Sequence, residues 1–286
     1  MPYTTLITVA QLRALQDQRA PVLVVDCTAD LMQPAAGHEA FLAEHIPGAL
    51  HADLDHDLSA HGAADAASGG RHPLPTRETF AAWLRQIGLQ NDTQVVVYDR
   101  NGMNYCGRLW WMLKWAGHDA VAVLDGGLAA WRAAGEALEA GPAASRTPSS
   151  WTLQPPLREL VSADAVHAAL QQTGQTLIDA RAEPRFRGEV EPLDPVAGHI
   201  PGALNRPFAR NLSADGHFKP AAVLRAEFDA LLAGRDPASV VHQCGSGVSA
   251  VPNLLAMELA GLGPTRLFAG SWSEWCRDPS RPVEQG

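Results

Sequence analysis

One sulfur in this chain stands where a nucleophile would. The run Val240-Val241-His242-Gln243 leads into Cys244, the loop Gly245-Ser246-Gly247-Val248-Ser249 follows, and an apolar helical pattern runs from Ala250 to Ala260. That is a strand, a tight loop and a helix. It sets the thiol at the carboxyl end of a strand, facing the amino end of a helix, where the dipole and the unbonded N–H groups favour an anion. A thiol attacks as its thiolate, and such a position lowers a thiol pKa. Gly245 and Gly247 carry no Cβ, so the loop can turn its N–H groups inward. A lone strand-end cysteine is more often a small buried hydrophobe. The glycines and the helix start turn the reading toward a reactive thiol.

The elements that must hold this loop are written twice. Leu23-Val24-Val25-Asp26 returns as Leu177-Ile178-Asp179-Ala180, and Glu44-His45-Ile46-Pro47-Gly48-Ala49-Leu50 as Gly198-His199-Ile200-Pro201-Gly202-Ala203-Leu204. Val95-Val96-Val97-Tyr98-Asp99 answers the strand before Cys244, and Leu124-Asp125-Gly126-Gly127 through Trp131 answers Leu267-Phe268-Ala269-Gly270 through Trp275. The order is the same in both halves, offset by about half the chain, which means duplicated domains and not a solenoid. Thr8 reads as an N-cap for a helix over Val9–Arg19, and Ser162 for one over Ala163–Gln172. Val95–Tyr98 and Val121–Leu124 read as buried parallel strands with a helix over Cys106–Ala116 between them. This is βαβ logic. The fold class is α/β: two tandem domains, each a parallel β-sheet flanked by helices on both faces. Residues 1–140 form the first domain, 141–157 a Pro-, Ser- and Thr-rich linker, and 158–286 the second. Residues 59–75, rich in Ala, Gly and His, read as a loop of the first domain. The first half ends its matching strand in Asp99-Arg100-Asn101-Gly102, with no nucleophile, so the second domain is the catalytic one.

Composition narrows the partners. The chain has 286 residues, a hydrophobic share of 46% and a net charge of −9, an ordinary soluble composition that argues against nucleic acid or an anionic membrane as partner. An anionic substrate then needs a local positive site. Met1-Pro2-Tyr3-Thr4-Thr5-Leu6 has neither a basic nor an apolar signal region, and no apolar run approaches the ~20 residues of a membrane span. Cys27, Cys106, Cys244 and Cys276 are scattered without CxxC spacing, which suggests neither a disulfide scaffold nor a zinc site. A reducing, cytoplasmic setting fits, with no cofactor and no metal.

The repeated HIPGA segment, the Cys-Gly-Ser-Gly-Val-Ser-Ala loop and the closing Gly-Ser-Trp-Ser-Glu-Trp together resemble the two-domain rhodanese sulfurtransferases, from Leu23 to Trp275. Gly245 and Ser246 after the cysteine resemble the 3-mercaptopyruvate branch, whose loop reads Cys-Gly-Ser-Gly-Val-Thr-Ala. Thiosulfate enzymes of the family place basic residues there. The resemblance implies that Cys244 takes the outer sulfur of a small-molecule donor as a persulfide and passes it to a thiophilic acceptor: cyanide, a thiol or a thioredoxin. Gly245, Gly247, Val248 and Ser249 would hold the terminal sulfur through their N–H groups. Thiosulfate as donor remains the alternative.

The resemblance also implies a proton relay of Ser246, His72 and Asp55. A histidine near its ordinary pKa, oriented by a carboxylate, can shuttle a proton at neutral pH. The plainer readings are a solvated loop histidine and a small loop serine. Arg185 matches one family arginine that grips the substrate carboxylate. The second family arginine has no match: Leu193 stands in its place, in Glu191-Pro192-Leu193-Asp194, and Arg187 or Arg181 are the candidates to compensate. His45 and His199 are expected to fix turns, and Trp131, Trp272 and Trp275 to pack.

Three other readings compete. A cysteine phosphatase needs an arginine closing Cys-x5-Arg, and Ala250 stands there. A non-enzymatic persulfide carrier or binding module would need no intact nucleophile loop. A metal-dependent hydrolase has no ligand spacing to support it.

Overall fold

The computed structural model describes residues 1–170, 172 and 174–286. The chain forms two compact units: Met1–Asp65 with Pro75–Leu157 and Ala214–His217, and Ala66–Leu74 with Arg158–Ser213 and Phe218–Gly286. The short segment Ala66–Leu74, part of the loop read as first-domain, belongs to the second unit.

The first unit runs β1 (Leu6–Ile7), α1 (Val9–Asp17), β2 (Val22–Asp26), α2 (Ala36–Ala43), β3 (Leu50–His51), α3 (Arg77–Gln86), β4 (Gln94–Tyr98), α4 (Cys106–Trp115), β5 (Val121–Leu124) and α5 (Gly127–Ala133). Its five strands pair in the order β1-β5-β4-β2-β3, every pair parallel. β4 is buried along its whole length, as its unbroken apolar run requires between two layers of helix. Thr8 caps α1 through a capping box with Gln11. That helix ends at Asp17, short of the expected Arg19, because Arg19 adopts φ 53° and cannot continue it. The stretch 141–157 has no regular element, yet it is tied down: Trp151 is buried, Gln154 N–H donates to Ala116 O at 3.1 Å and Leu157 N–H to Lys114 O at 3.0 Å.

The second unit runs α6 (Ala163–Ala169), β6 (Thr176–Asp179), α7 (Glu183–Phe186), β7 (Leu204–Asn205), α8 (Ala221–Leu232), β8 (Val240–Gln243), α9 (Val251–Leu259), β9 (Arg266–Leu267) and α10 (Ser271–Trp275). Ser162 caps α6 as expected, but the helix is assigned only to Ala169; residue 171, inside the expected span, lies outside the described residues. Four parallel strands stand in the order β7-β6-β8-β9, and a parallel bridge from Leu160 to Leu267 takes the place that β1 has in the first sheet. The core gathers Val166, Leu177, Ile200, Val241, Phe268, Trp272 and Trp275.

The two HIPGA segments build the same turn. His45 hydrogen-bonds Phe41 O at 2.8 Å and stacks on the Phe41 ring at 4.0 Å; His199 does the same with Phe186, at 2.8 and 3.8 Å. Gly48 and Gly202 both sit at φ 74°, and their N–H groups donate to Glu139 and Glu284. The histidines are architectural, and Trp131, Trp272 and Trp275 are buried packing residues.

Candidate active site

Cys244 follows β8 directly, and its loop enters α9 at Ala250. The thiol is almost wholly buried. Its backbone is clamped from α10: Cys244 N–H donates to Ser271 Oγ at 3.1 Å, Trp272 N–H to Cys244 O at 3.0 Å and Ser273 N–H to Gly245 O at 2.9 Å. Gly247 sits at φ 75°, and a Cβ there would lie 2.1 Å from Ala269 O, so no other residue fits. The loop's N–H groups are the site's chemical asset. Among the described residues, those of Gly245, Ser246, Val248, Ser249 and Ala250 donate to no protein acceptor, although all but Ser249 are buried residues.

The first unit holds the matching loop and shows what such N–H groups do. Tyr98 pairs with Asp26 as Gln243 pairs with Asp179, so Asp99 occupies the step of Cys244. The buried Asp99 carboxylate accepts from the N–H groups of Asn101, Met103, Tyr105 and Cys106 at 2.8 to 2.9 Å. Burial pushes that carboxyl above its ordinary value, and the N–H groups pull the other way. Counted from Asp99, these positions correspond to Ser246, Val248, Ala250 and Val251. One loop wraps a carboxylate; in the other, the matching N–H groups of Ser246, Val248 and Ala250 have no protein acceptor among the described residues, and that of Val251 donates to Val248 O at 3.0 Å.

Two residues of the expected relay are in hydrogen-bond contact within the second unit. His72 Nδ1 and Ser246 Oγ lie 2.7 Å apart, both residues buried. The segment carrying His72 is fastened to α10: Arg71 N–H donates to Ser273 Oγ at 2.9 Å, Gly69 N–H to Glu274 Oε2 at 3.2 Å, and a Cβ on Gly70 would lie 2.5 Å from Gly270 O. Asp55 belongs to the first unit, where its Oδ1 is 3.0 Å from His61 Nε2.

Arg185, at the end of α7, reaches the loop. Its guanidinium is 3.5 Å from the position a Gly245 Cβ would take, and it pairs with Glu191 at 2.6 Å and Asp194 at 3.4 Å. Both arginines named as candidates to compensate for Leu193 have carboxylate partners. Arg181 is consumed by Asp179 at 2.7 Å and by Gly198 O, and it lies over the Trp272 ring. Burial alone would lower its pKa, but Asp179 and Glu191 outweigh burial and hold it above its ordinary value. Arg187 is half-exposed and pairs with Glu183 and Glu189. A different arginine stands at the loop: Arg71 Nη2 is 3.3 Å from the Gly245 Cβ position. Sequence reasoning missed it, and its only signal was adjacency to His72. Among the described residues no cluster of His, Cys, Asp and Glu is placed to hold a metal ion.

A buried thiol at a strand end, in a loop of unbonded amides with an arginine near Gly245, on two parallel-sheet units of one pattern, is the arrangement of a duplicated rhodanese-type sulfurtransferase. The rhodanese-like domain model matches residues 8–134 and 162–278. A Pseudomonas aeruginosa protein named "Probable 3-mercaptopyruvate sulfurtransferase" is 48% identical, with all of both chains covered. "Thiosulfate/3-mercaptopyruvate sulfurtransferase 2" of Arabidopsis thaliana is 35% identical, covering 86% of this chain and 76% of its own. The crystal structure of SseA from Escherichia coli, a 3-mercaptopyruvate sulfurtransferase, superposes with a TM-score of 0.79 at 31% identity, over 95% of this chain and 100% of its own. The chain belongs to the rhodanese family and is a sulfurtransferase enzyme.

Proposed function

We propose that the protein moves a sulfane sulfur from 3-mercaptopyruvate through a Cys244 persulfide to a thiophilic acceptor. The observation that carries this is the set of unbonded loop amides around Cys244, matched by the amides that hold the Asp99 carboxylate. The Cys244 thiolate attacks the donor's sulfur. The S–S bond forms as the C–S bond breaks, and the bonding pair leaves on carbon as pyruvate enolate. The loop amides receive the charge on the sulfurs. The enolate takes a proton from Ser246 Oγ, resupplied through His72 at 2.7 Å. A thiolate, cyanide or reduced thioredoxin then takes the outer sulfur and returns Cys244 as thiolate. Arg185 holds the donor carboxylate. The second unit, with its Ala66–Leu74 segment, is the catalytic one, and the first unit, which lacks the nucleophile, supports it. The four free cysteines suit a reducing cytoplasm.

Thiosulfate is the second reading, favoured by a relative named for both donors. There the thiolate attacks the outer sulfur, sulfite leaves with the bonding pair, and no proton is needed.

Sulfur transfer to cyanide, compared for the two donors on one preparation, tests the proposal. The expected result is a higher kcat/KM with 3-mercaptopyruvate, one added sulfur on Cys244 by mass, and no transfer by Cys244→Ser. A preference for thiosulfate overturns the donor; transfer by Cys244→Ser overturns the nucleophile. Ser246→Ala should slow mercaptopyruvate about 10²-fold and leave thiosulfate nearly unchanged. Asp55→Asn sorts that residue: a loss like that of Ser246→Ala puts it in the relay, and no loss leaves it as the partner of His61.

A further inference from the structure

An arginine from elsewhere in the chain lies against the segment that carries Leu193. Arg71 comes from the segment Ala66–Leu74, far from residues 185–194 in sequence, yet its Nη1 lies 3.5 Å from Leu193 O and 2.8 Å from Asp194 Oδ1. Asp194, with no side-chain exposure, is shared: its other oxygen is 3.4 Å from Arg185 Nη2. One buried carboxylate therefore holds two guanidinium groups side by side. Both point at the same spot, for Arg71 Nη2 is 3.3 Å and Arg185 Nη1 3.5 Å from the position a Gly245 Cβ would occupy. That spot adjoins Cys244. Arg71 Nε is buried and, among the described residues, has no hydrogen-bond partner. A buried donor without an acceptor costs free energy, which a ligand oxygen would recover. The backbone of Arg71 is itself fixed to Ser273 Oγ, so the side chain starts from a rigid point.

We propose that Arg71 is the second arm of the clamp that grips the carboxylate of the sulfur donor, with Asp194 as the residue that positions both arms. This rests on the carboxylate-donor reading above. Two guanidinium groups offer a carboxylate charge-assisted hydrogen bonds from two directions, and they fix where its thiol carbon stands relative to Cys244. Gly245 is the gap through which they reach.

The test has one arm that needs no sulfur donor. The rates of Cys244 alkylation by iodoacetate and by iodoacetamide are compared in the parent, Arg71→Met, Arg71→Lys and Arg185→Met. The two reagents differ by a carboxylate, so their rate ratio reads the clamp, while overall thiol reactivity cancels. The ratio should fall about tenfold in Arg71→Met and Arg185→Met and less in Arg71→Lys. A ratio in Arg71→Met equal to that of the parent overturns the proposal, whichever donor the enzyme prefers. The second arm is steady-state kinetics. Arg71→Met should raise KM for 3-mercaptopyruvate about tenfold with kcat little changed, and raise KM for thiosulfate less. Equal increases for both donors overturn the carboxylate assignment. If the parent prefers thiosulfate but the alkylation ratio still falls, the donor reading fails and the Arg71 clamp stands.

Discussion

Two glycines flank one serine in the nucleophile loop, and they are there for different reasons. Gly247 needs its backbone conformation, at φ 75°, and has a carbonyl where a Cβ would go. Gly245 is not among the left-handed residues; what it avoids is crowding against the tips of Arg71 and Arg185. Gly247→Ala should therefore abolish transfer and destabilise the second unit by about 2 kcal/mol or more, since a left-handed non-glycine costs ~1–3 kcal/mol before the clash is counted. Gly245→Ala should fold normally, because flexible guanidinium ends can give way, and lose mainly in donor KM. Urea unfolding and donor kinetics on both variants check this; matching profiles would refute the distinction. The sequence marked both as loop glycines and could not tell them apart. It likewise showed Arg185 through a local match but not Arg71, because a side chain arriving from a distant segment leaves no pattern near the residues it serves.

At the scale of the element, β8 carries a cost beside its cargo. His242, on this strand two residues before Cys244, is fully buried with neither ring nitrogen bonded among the described residues. Burial first, and the Arg206 charge second, push its pKa down to about 3. The unfolded chain would titrate it near 6.5, so between pH 6.5 and 3 the unfolded state binds the extra proton. Stability contributed by this group is thus full above pH 6.5 and is lost as pH falls. Each unit within the window costs up to about 1.4 kcal/mol. Between pH 7 and pH 5 the parent should lose about 2 kcal/mol more than His242→Leu does, read by urea unfolding at the two pH values. Equal losses would show that His242 finds a partner or stays uncharged in the unfolded chain. The strand itself was legible from its apolar run, as were β4, β5, α4 and α9. The two-residue strands β3 and β7 were not, and neither was the capping of the HIPGA glycines by Glu139 and Glu284. Those contacts are long-range pairings with no local period.

On the whole molecule, duplication gave two loops of one design and let only one keep a thiol. The sequence showed that the first half lacks the nucleophile. It did not show that the loop still binds an anion there, because a carboxylate reading as a strand-end Asp looks like any turn residue. Asp99 accepts from four backbone donors, three of them (Met103, Tyr105 and Cys106) in buried residues that would otherwise be left unbonded. The aspartate is therefore structural, and removing it should cost more than an ordinary surface carboxylate would. Asp99→Ala strands four N–H groups at ~1–3 kcal/mol for the first lost partner and less for each donor that water reaches, so a loss of about 3 kcal/mol or more is expected. Asp99→Asn keeps one oxygen and loses charge, so it should fall between. Amide hydrogen exchange supplies the local reading: Asn101, Met103, Tyr105 and Cys106 should lose protection in Asp99→Ala ahead of the β4 core. Unchanged protection at those four amides would mean that the loop holds its shape without an anion. The comparison between the two loops, on which the charge-stabilising role of the Cys244 amides leans, would then lose its internal control.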